Sequence, residues 1–171
     1  MPNVILGNIL SGFAAGFLIL SGLLRRKRLI YSSQCAESFF LFLAQIAFYQ
    51  FGAAACLLVS ILKNMLLAMG KYGRRALVLV LSLTLSLGIL CNTGGNVGLL
   101  PVAASAIFCI SGYLARGDVA IKISISVNLI LWCIYSLMIA DIVSLAVNTV
   151  ALVINIFVAV RLALEDHELQ S

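Results

Sequence analysis

Long apolar runs alternate with short polar interruptions along the whole chain. Seven runs stand out, at roughly 4–24, 35–51, 53–70, 76–92, 97–115, 120–139 and 142–163. Each matches the 17–25 or so residues that a helix needs to cross a hydrocarbon core. The interruptions are short, so consecutive helices are predicted to fold back on one another as adjacent antiparallel pairs. The fourth run, LVLVLSLTLSLGIL from Leu77 to Leu90, alternates as a strand would. A lone strand in lipid leaves its backbone groups unpaired, whereas a helix satisfies its own, so a helix is predicted there too. The Asn-Thr-Gly-Gly-Asn stretch from Asn92 to Asn96 then supplies a reversal. A β-barrel would need shorter runs alternating throughout. The pattern predicts an all-α membrane protein of seven transmembrane helices. They form a single membrane domain over residues 1–171 that ends in a short cytoplasmic tail at 164–171.

Composition agrees and sharpens the exclusions. Apolar residues make up 63% of the chain and charged residues 10%, with a mean hydropathy of +1.17. A soluble domain carries about 25% charged residues to wet its surface. A soluble enzyme, a disordered chain and a free nucleic-acid-binding domain are therefore excluded. The net charge of +5 matters chiefly through its placement. Arg25, Arg26, Lys27 and Arg28 follow the first run. Lys71, Arg74 and Arg75 follow the third, Arg116 and Lys122 the fifth, and Arg161 ends the seventh. The intervening turns carry no base. The positive-inside rule then puts the N-terminus outside and the C-terminus in the cytoplasm. The same bases attract anionic lipid heads. Arg25–Arg28 lacks an aromatic or folded platform, so no nucleic acid is expected as a partner. The bilayer is the certain neighbour, and self-association into a homo-oligomer is left open.

No reactive chemistry is visible. Met1-Pro2-Asn3 has no positive n-region, so the first run reads as a retained helix and not as a cleaved signal peptide. Cys35, Cys56, Cys91, Cys109 and Cys133 are scattered without any C-x-x-C, so they are expected to pack as small hydrophobes. His167, the single histidine, lies in the terminal Glu165-Asp166-His167-Glu168 stretch. A membrane metal site or histidine base is thereby excluded. No nucleophile–base pair, acidic pair or phosphate loop appears. The chain is expected not to be an enzyme, with no catalytic residues, no metal and no cofactor.

The first three runs resemble the last three. FLILSGLLRR (Phe17–Arg26) aligns with IFCISGYLAR (Ile107–Arg116), placing Ser21-Gly22 on Ser111-Gly112 and Arg26 on Arg116. With one extra residue allowed, Asn64 falls on Asn155. The predicted arrangement is a pair of parallel repeats, about 4–70 and about 97–163, joined by a linker helix at about 76–92.

Polar residues inside the runs are the functional clues. Lys63 is the only ionisable residue well inside a run, and such a charge costs about 2.5–3.5 kcal/mol on insertion scales. It is read either as a cation facing a cavity or as a snorkelling lysine, with Glu37 as a partner at comparable depth. Stripes at helical spacing accompany it. Cys56, Ser60, Lys63 and Asn64 share one face, as do Ser144, Asn148 and Asn155. Asn128, Trp132 and Tyr135 line a third face, and Ser38, Gln45 and Tyr49 a fourth. Four polar stripes cannot all face lipid, so they are predicted to converge on one another or on a wet cavity. Small residues at Ser11, Ala15 and Gly22, with Gly12 and Gly16 beside them, are expected to let the first helix pack closely. Asp141 is expected to make an outer turn and Asp118 to lie in an inner loop.

The 3 + 1 + 3 layout resembles the SWEET/PQ-loop superfamily of small-solute carriers. The chain is more closely similar to the YgjV-type bacterial inner-membrane proteins. That likeness rests on Ser60-Ile-Leu-Lys63 in the third helix, Asn155 with Arg161 six residues on, and Asn8, Ser11, Gly12 and Gly16 in the first. There is no Pro-Gln pair, and Pro101 is the one proline within a run, so SWEET-type proline hinges are missing. The resemblance implies a bacterial inner membrane location. Together, stripes and repeat suggest a carrier or facilitator of an unidentified small polar solute, working by alternating access. Its substrate-binding residues would be Asn64, Asn155, Lys63, Ser60, Asn148, Trp132, Asn128 and Gln45. No intramembrane carboxylate offers an obvious proton relay, which favours facilitated diffusion. The alternative is a structural, accessory or receptor membrane protein whose polar residues only lock its helices together.

Overall fold

The computed structural model describes residues 4–93, 95–138 and 142–168. Seven helices, and no strand, are found among the described residues. They are α1 (Val4–Leu23), α2 (Lys27–Ala47), α3 (Phe51–Ala68), α4 (Arg74–Leu90), α5 (Gly95–Leu114), α6 (Asp118–Met138) and α7 (Ile142–Glu168). The alternating run of Leu77–Leu90 is helical, not extended. Residues 1–3, the Asp141 turn and the His167 side chain lie outside the described residues.

The largest difference from the sequence reading is at α2, which starts eight residues earlier than the apolar run. Polar residues made that stretch resemble a loop, but they turn inward. Ile30, Tyr31, Ser33 and Gln34 are all buried, and their burial continues the helix back to Lys27. α6 likewise starts at Asp118, whose carboxylate sits in the first helical turn and complements the helix dipole there, so Asp118 is not a loop residue. α7 runs past 163, helped by the Arg161–Glu165 pair at i,i+4.

Five helices, α1, α3, α5, α6 and α7, are long and apolar enough to cross a membrane. α4 has 17 residues, about 26 Å of helix, at the lower limit for a span. α2 is long enough, but Ser, Gln and Glu dilute its apolar character. Its buried set includes Ser33, Gln34, Ser38 and Gln45, so its polar face is its inner one. The same inversion holds for the bundle. Ile5, Phe13, Leu90, Phe157 and many other large apolar side chains are exposed, while Lys63, Asn64, Lys122 and Asn155 are buried. A soluble domain would bury the first set and expose the second.

Six helices close a ring: α1 packs on α2, α2 on α3, α3 on α5, α5 on α6, α6 on α7, and α7 on α1. α4 packs on α3 and α5. One apolar cluster joins all six ring helices through Leu18, Tyr31, Leu67, Phe108, Ile125 and Ala151. Close approach requires glycine at Gly7 against Phe48, at Gly52 against Asn92, at Gly88 against Val102 and at the α1–α7 seam, whereas the α5–α3 seam at Gly112 is in ordinary contact. A Cβ on Gly22 of α1 would stand 3.2 Å from Ile154 of α7, and one on Gly112 of α5 would stand 3.4 Å from Leu67 of α3. The neighbouring serines behave alike: Ser21 Oγ donates to the Leu18 carbonyl at 2.8 Å and Ser111 Oγ to the Phe108 carbonyl at 3.3 Å. Gly12 and Gly16 do not serve close packing. Both are exposed, and a Cβ on either would meet nothing within 4 Å.

Candidate functional site

The ring encloses a cavity of about 70 Å³ lined by all six of its helices. It extends from Gln45, Ser136 and Ser144, near the ends of the bundle away from the bases, to Gln34 on α2. Water needs roughly 10–15 Å³ of such space per molecule together with polar partners, so the cavity has room for several waters or a solute of a few heavy atoms.

Seven of the eight residues marked as binding candidates line it: Asn64, Lys63, Ser60, Asn148, Trp132, Asn128 and Gln45. Ser38, Tyr135 and Ser144 from the same stripes line it too. Tyr49 does not; it is exposed and packs edge-on against Phe51. Trp132 stands edge-on to Tyr135, their ring centroids 5.7 Å apart.

Asn155 lies elsewhere. Its side-chain nitrogen donates to the Lys122 carbonyl at 2.6 Å and to Ser126 Oγ at 2.8 Å, which fastens α7 to α6. Helical spacing had placed it in line with Ser144 and Asn148. It stands seven residues beyond Asn148, about 10 Å further along α7 and past the cavity.

The two buried lysines differ sharply. Lys122 Nζ donates to the carbonyls of Ser21 and Gly22 at 2.9 and 2.7 Å. It thus satisfies the end of α1 with a cation, which the helix dipole also favours. Lys63 is therefore not the only ionisable residue inside the bundle. Lys63 Nζ sits 3.3 Å from the Phe108 ring centroid and makes no hydrogen bond among the described residues. A desolvated cation–π contact is worth about 2 kcal/mol. That does not cover the insertion cost of about 2.5–3.5 kcal/mol, and the Glu37 carboxylate on the same cavity lining adds Coulombic attraction. Snorkelling is not the solution adopted, because Lys63 is 0% exposed.

Glu37 is a second correction. The earlier start of α2 puts it ten residues from either end of that helix, on the cavity wall, so the interior does contain a carboxylate. Its Oε2 accepts from Ser38 Oγ at 3.3 Å, and Ser38 Oγ in turn accepts from Asn64 Nδ2 at 3.4 Å. Gln34, Ser105 and the mid-helix place of Glu37 are additions to the polar stripes seen in the sequence. A helical continuation of the Gln34–Ser38–Gln45 spacing was the available signal.

Several lining atoms have no partner. They are Gln34 Oε1, Gln45 Oε1, Lys63 Nζ, Asn64 Oδ1 and Asn128 Oδ1. Each unsatisfied buried polar atom costs about 1–3 kcal/mol. Five of the seven such atoms found among the described residues belong to the cavity lining; the other two, Tyr31 Oη and Asn155 Oδ1, lie outside it. No group of three or more His, Cys, Asp or Glu capable of holding a metal occurs among the described residues. The five cysteines are free.

A bundle with a greasy exterior, a polar interior and one basic end is the architecture of a multi-pass membrane protein. Comparison with known proteins agrees. The family model described as Imp-YgjV, bacterial inner membrane protein, matches residues 5–166. No curated protein and no solved structure matches the chain. The match takes in all seven helices and the whole cavity wall, and so the chain belongs to the Imp-YgjV family of bacterial inner membrane proteins.

Proposed function

We propose that the chain is a carrier or facilitator of a small polar solute, bound in the central cavity and passed across the membrane by alternating access. The observation that carries the reading is the set of unpartnered polar atoms on the cavity wall. Most of the unpartnered atoms gather on this one cavity rather than scattering through the helix contacts. Lys63, Asn64, Ser60, Asn148, Trp132, Asn128 and Gln45 would contact the solute, with Glu37 added and Asn155 removed. No catalytic chemistry is assigned.

The ring order supports a parallel repeat. Turning α1-α2-α3 onto α5-α6-α7 maps each ring contact onto another, including α3·α5 onto α7·α1. Gly22 and Gly112 then mark the two seams across which the halves would rock. The distribution of the bases supports an N-terminus outside and a cytoplasmic C-terminus. A structural or accessory role has one observation in its favour: Lys122 and Asn155 hold α1, α6 and α7 together.

Uptake by liposomes containing the purified protein tests the proposal. A panel of small neutral, anionic, cationic and zwitterionic solutes should include at least one whose entry exceeds that into empty liposomes. Asn64→Ala and Asn148→Ala should each lower that flux, roughly tenfold for loss of one hydrogen bond to a charged solute group. A panel with no protein-dependent entry, or variants with unchanged flux, would overturn it.

A further inference from the structure

We propose that the cavity takes a small zwitterion, its anionic group on Lys63 and its cationic group on Glu37. The inference rests on the reading of the cavity as a solute site and names the chemical class of the solute.

Lys63 and Glu37 are the charged members of the cavity lining, one of each sign. They do not pair with each other: the ion pairs among the described residues are Arg25–Glu165 and Arg161–Glu165. Phe108 covers one side of the Lys63 ammonium, and its three donors meet no acceptor. Glu37 accepts one long hydrogen bond, from Ser38, out of about four that a carboxylate can take. Both charges therefore have unused hydrogen-bonding capacity and belong to the lining of the same cavity.

That pairing selects among solutes. An anion would satisfy Lys63 but would lie beside the Glu37 carboxylate, and a cation would meet the reverse conflict. A neutral amide would leave each charge with only the other, beyond ion-pair distance, as its counter-ion. A zwitterion answers both and brings no net charge into the membrane interior. Gln34, Gln45, Asn64 and Asn128 all leave a carbonyl oxygen unpartnered, so the wall has acceptors to spare. A cavity of about 70 Å³ limits the solute to a few heavy atoms, the size of glycine or alanine.

Trp132 is the only tryptophan and lines the cavity, so its fluorescence reports binding without any transport step. The purified full chain in detergent is titrated with glycine, acetate, methylammonium and acetamide. Glycine should give a saturable change with an affinity at least about tenfold above the other three, since a misplaced like charge is penalised. Glu37→Gln should move the preference toward acetate, and Lys63→Met toward methylammonium. Equal responses to glycine and acetamide, or no response to any of the four, would overturn the zwitterion assignment. So would folded variants that weaken all four equally. The wild-type selectivity series needs no variant, so a misfolded mutant does not shield the proposal. The carrier reading fails separately: saturable glycine binding without liposome uptake removes transport and keeps the site, while uptake of neutral solutes alone does the opposite.

Discussion

Lys63 and Lys122 are both fully buried, and the protein satisfies them in opposite ways. Lys122 is tied to two backbone carbonyls at the end of α1, and Lys63 is left facing a cavity over an aromatic ring. In the sequence Lys122 reads as one of the inner-face bases and Lys63 as the only ionisable residue well inside a run. The sequence does not show that the end of α1 comes to rest on Lys122, a contact spanning about a hundred residues. Asn64 and Asn155 divide similarly: one opens onto the cavity and the other seals α7 to α6. Lys122→Met would strand the Ser21 and Gly22 carbonyls. It should lower the unfolding free energy in mixed detergent micelles by about 3 kcal/mol, the range for hydrogen bonds to a charged donor. It should leave ligand-induced Trp132 fluorescence unchanged, because Lys122 does not line the cavity. Unchanged stability would contradict the clamp.

At the scale of helices, apolar length was the most legible feature. Every run long enough to span became a helix, because lipid offers the backbone no other partner. The start of α2 was illegible for the same reason that it matters. Tyr31, Ser33 and Gln34 look like loop residues until the ring closes and gives them an interior to face. Helix seams are equally invisible in the chain, since a glycine in an apolar run gives no sign of which neighbour it will meet. Gly22 meets α7 closely and Gly112 meets α3 at ordinary contact distance, whereas Gly12 meets nothing. Gly22→Leu and Gly112→Leu should each destabilise by about 1–3 kcal/mol through overpacking. Gly12→Leu should fall within about 0.5 kcal/mol of the parent. Thermal unfolding of the purified variants in detergent decides it, and a Gly12→Leu loss as large as that of Gly22→Leu would contradict the packing described.

At the scale of the whole molecule, the polar stripes predicted a shared interior, and six helices do share one. What periodicity could not say was how far along each stripe the cavity runs, so Asn155 was drawn in and Gln34 and Glu37 were left out. Those are long-range facts set by ring closure. In the proposed carrier this cavity is a hydrated site open alternately to either side. The direct measurement is labelling of an Asn64→Cys variant, with the five native cysteines replaced, in sealed vesicles of either orientation. A membrane-impermeant thiol reagent should modify it from both sides, while Asn155→Cys should react from neither. An Asn64→Cys chain that stays unmodified from both sides would mean a sealed, dry interior and would contradict the account.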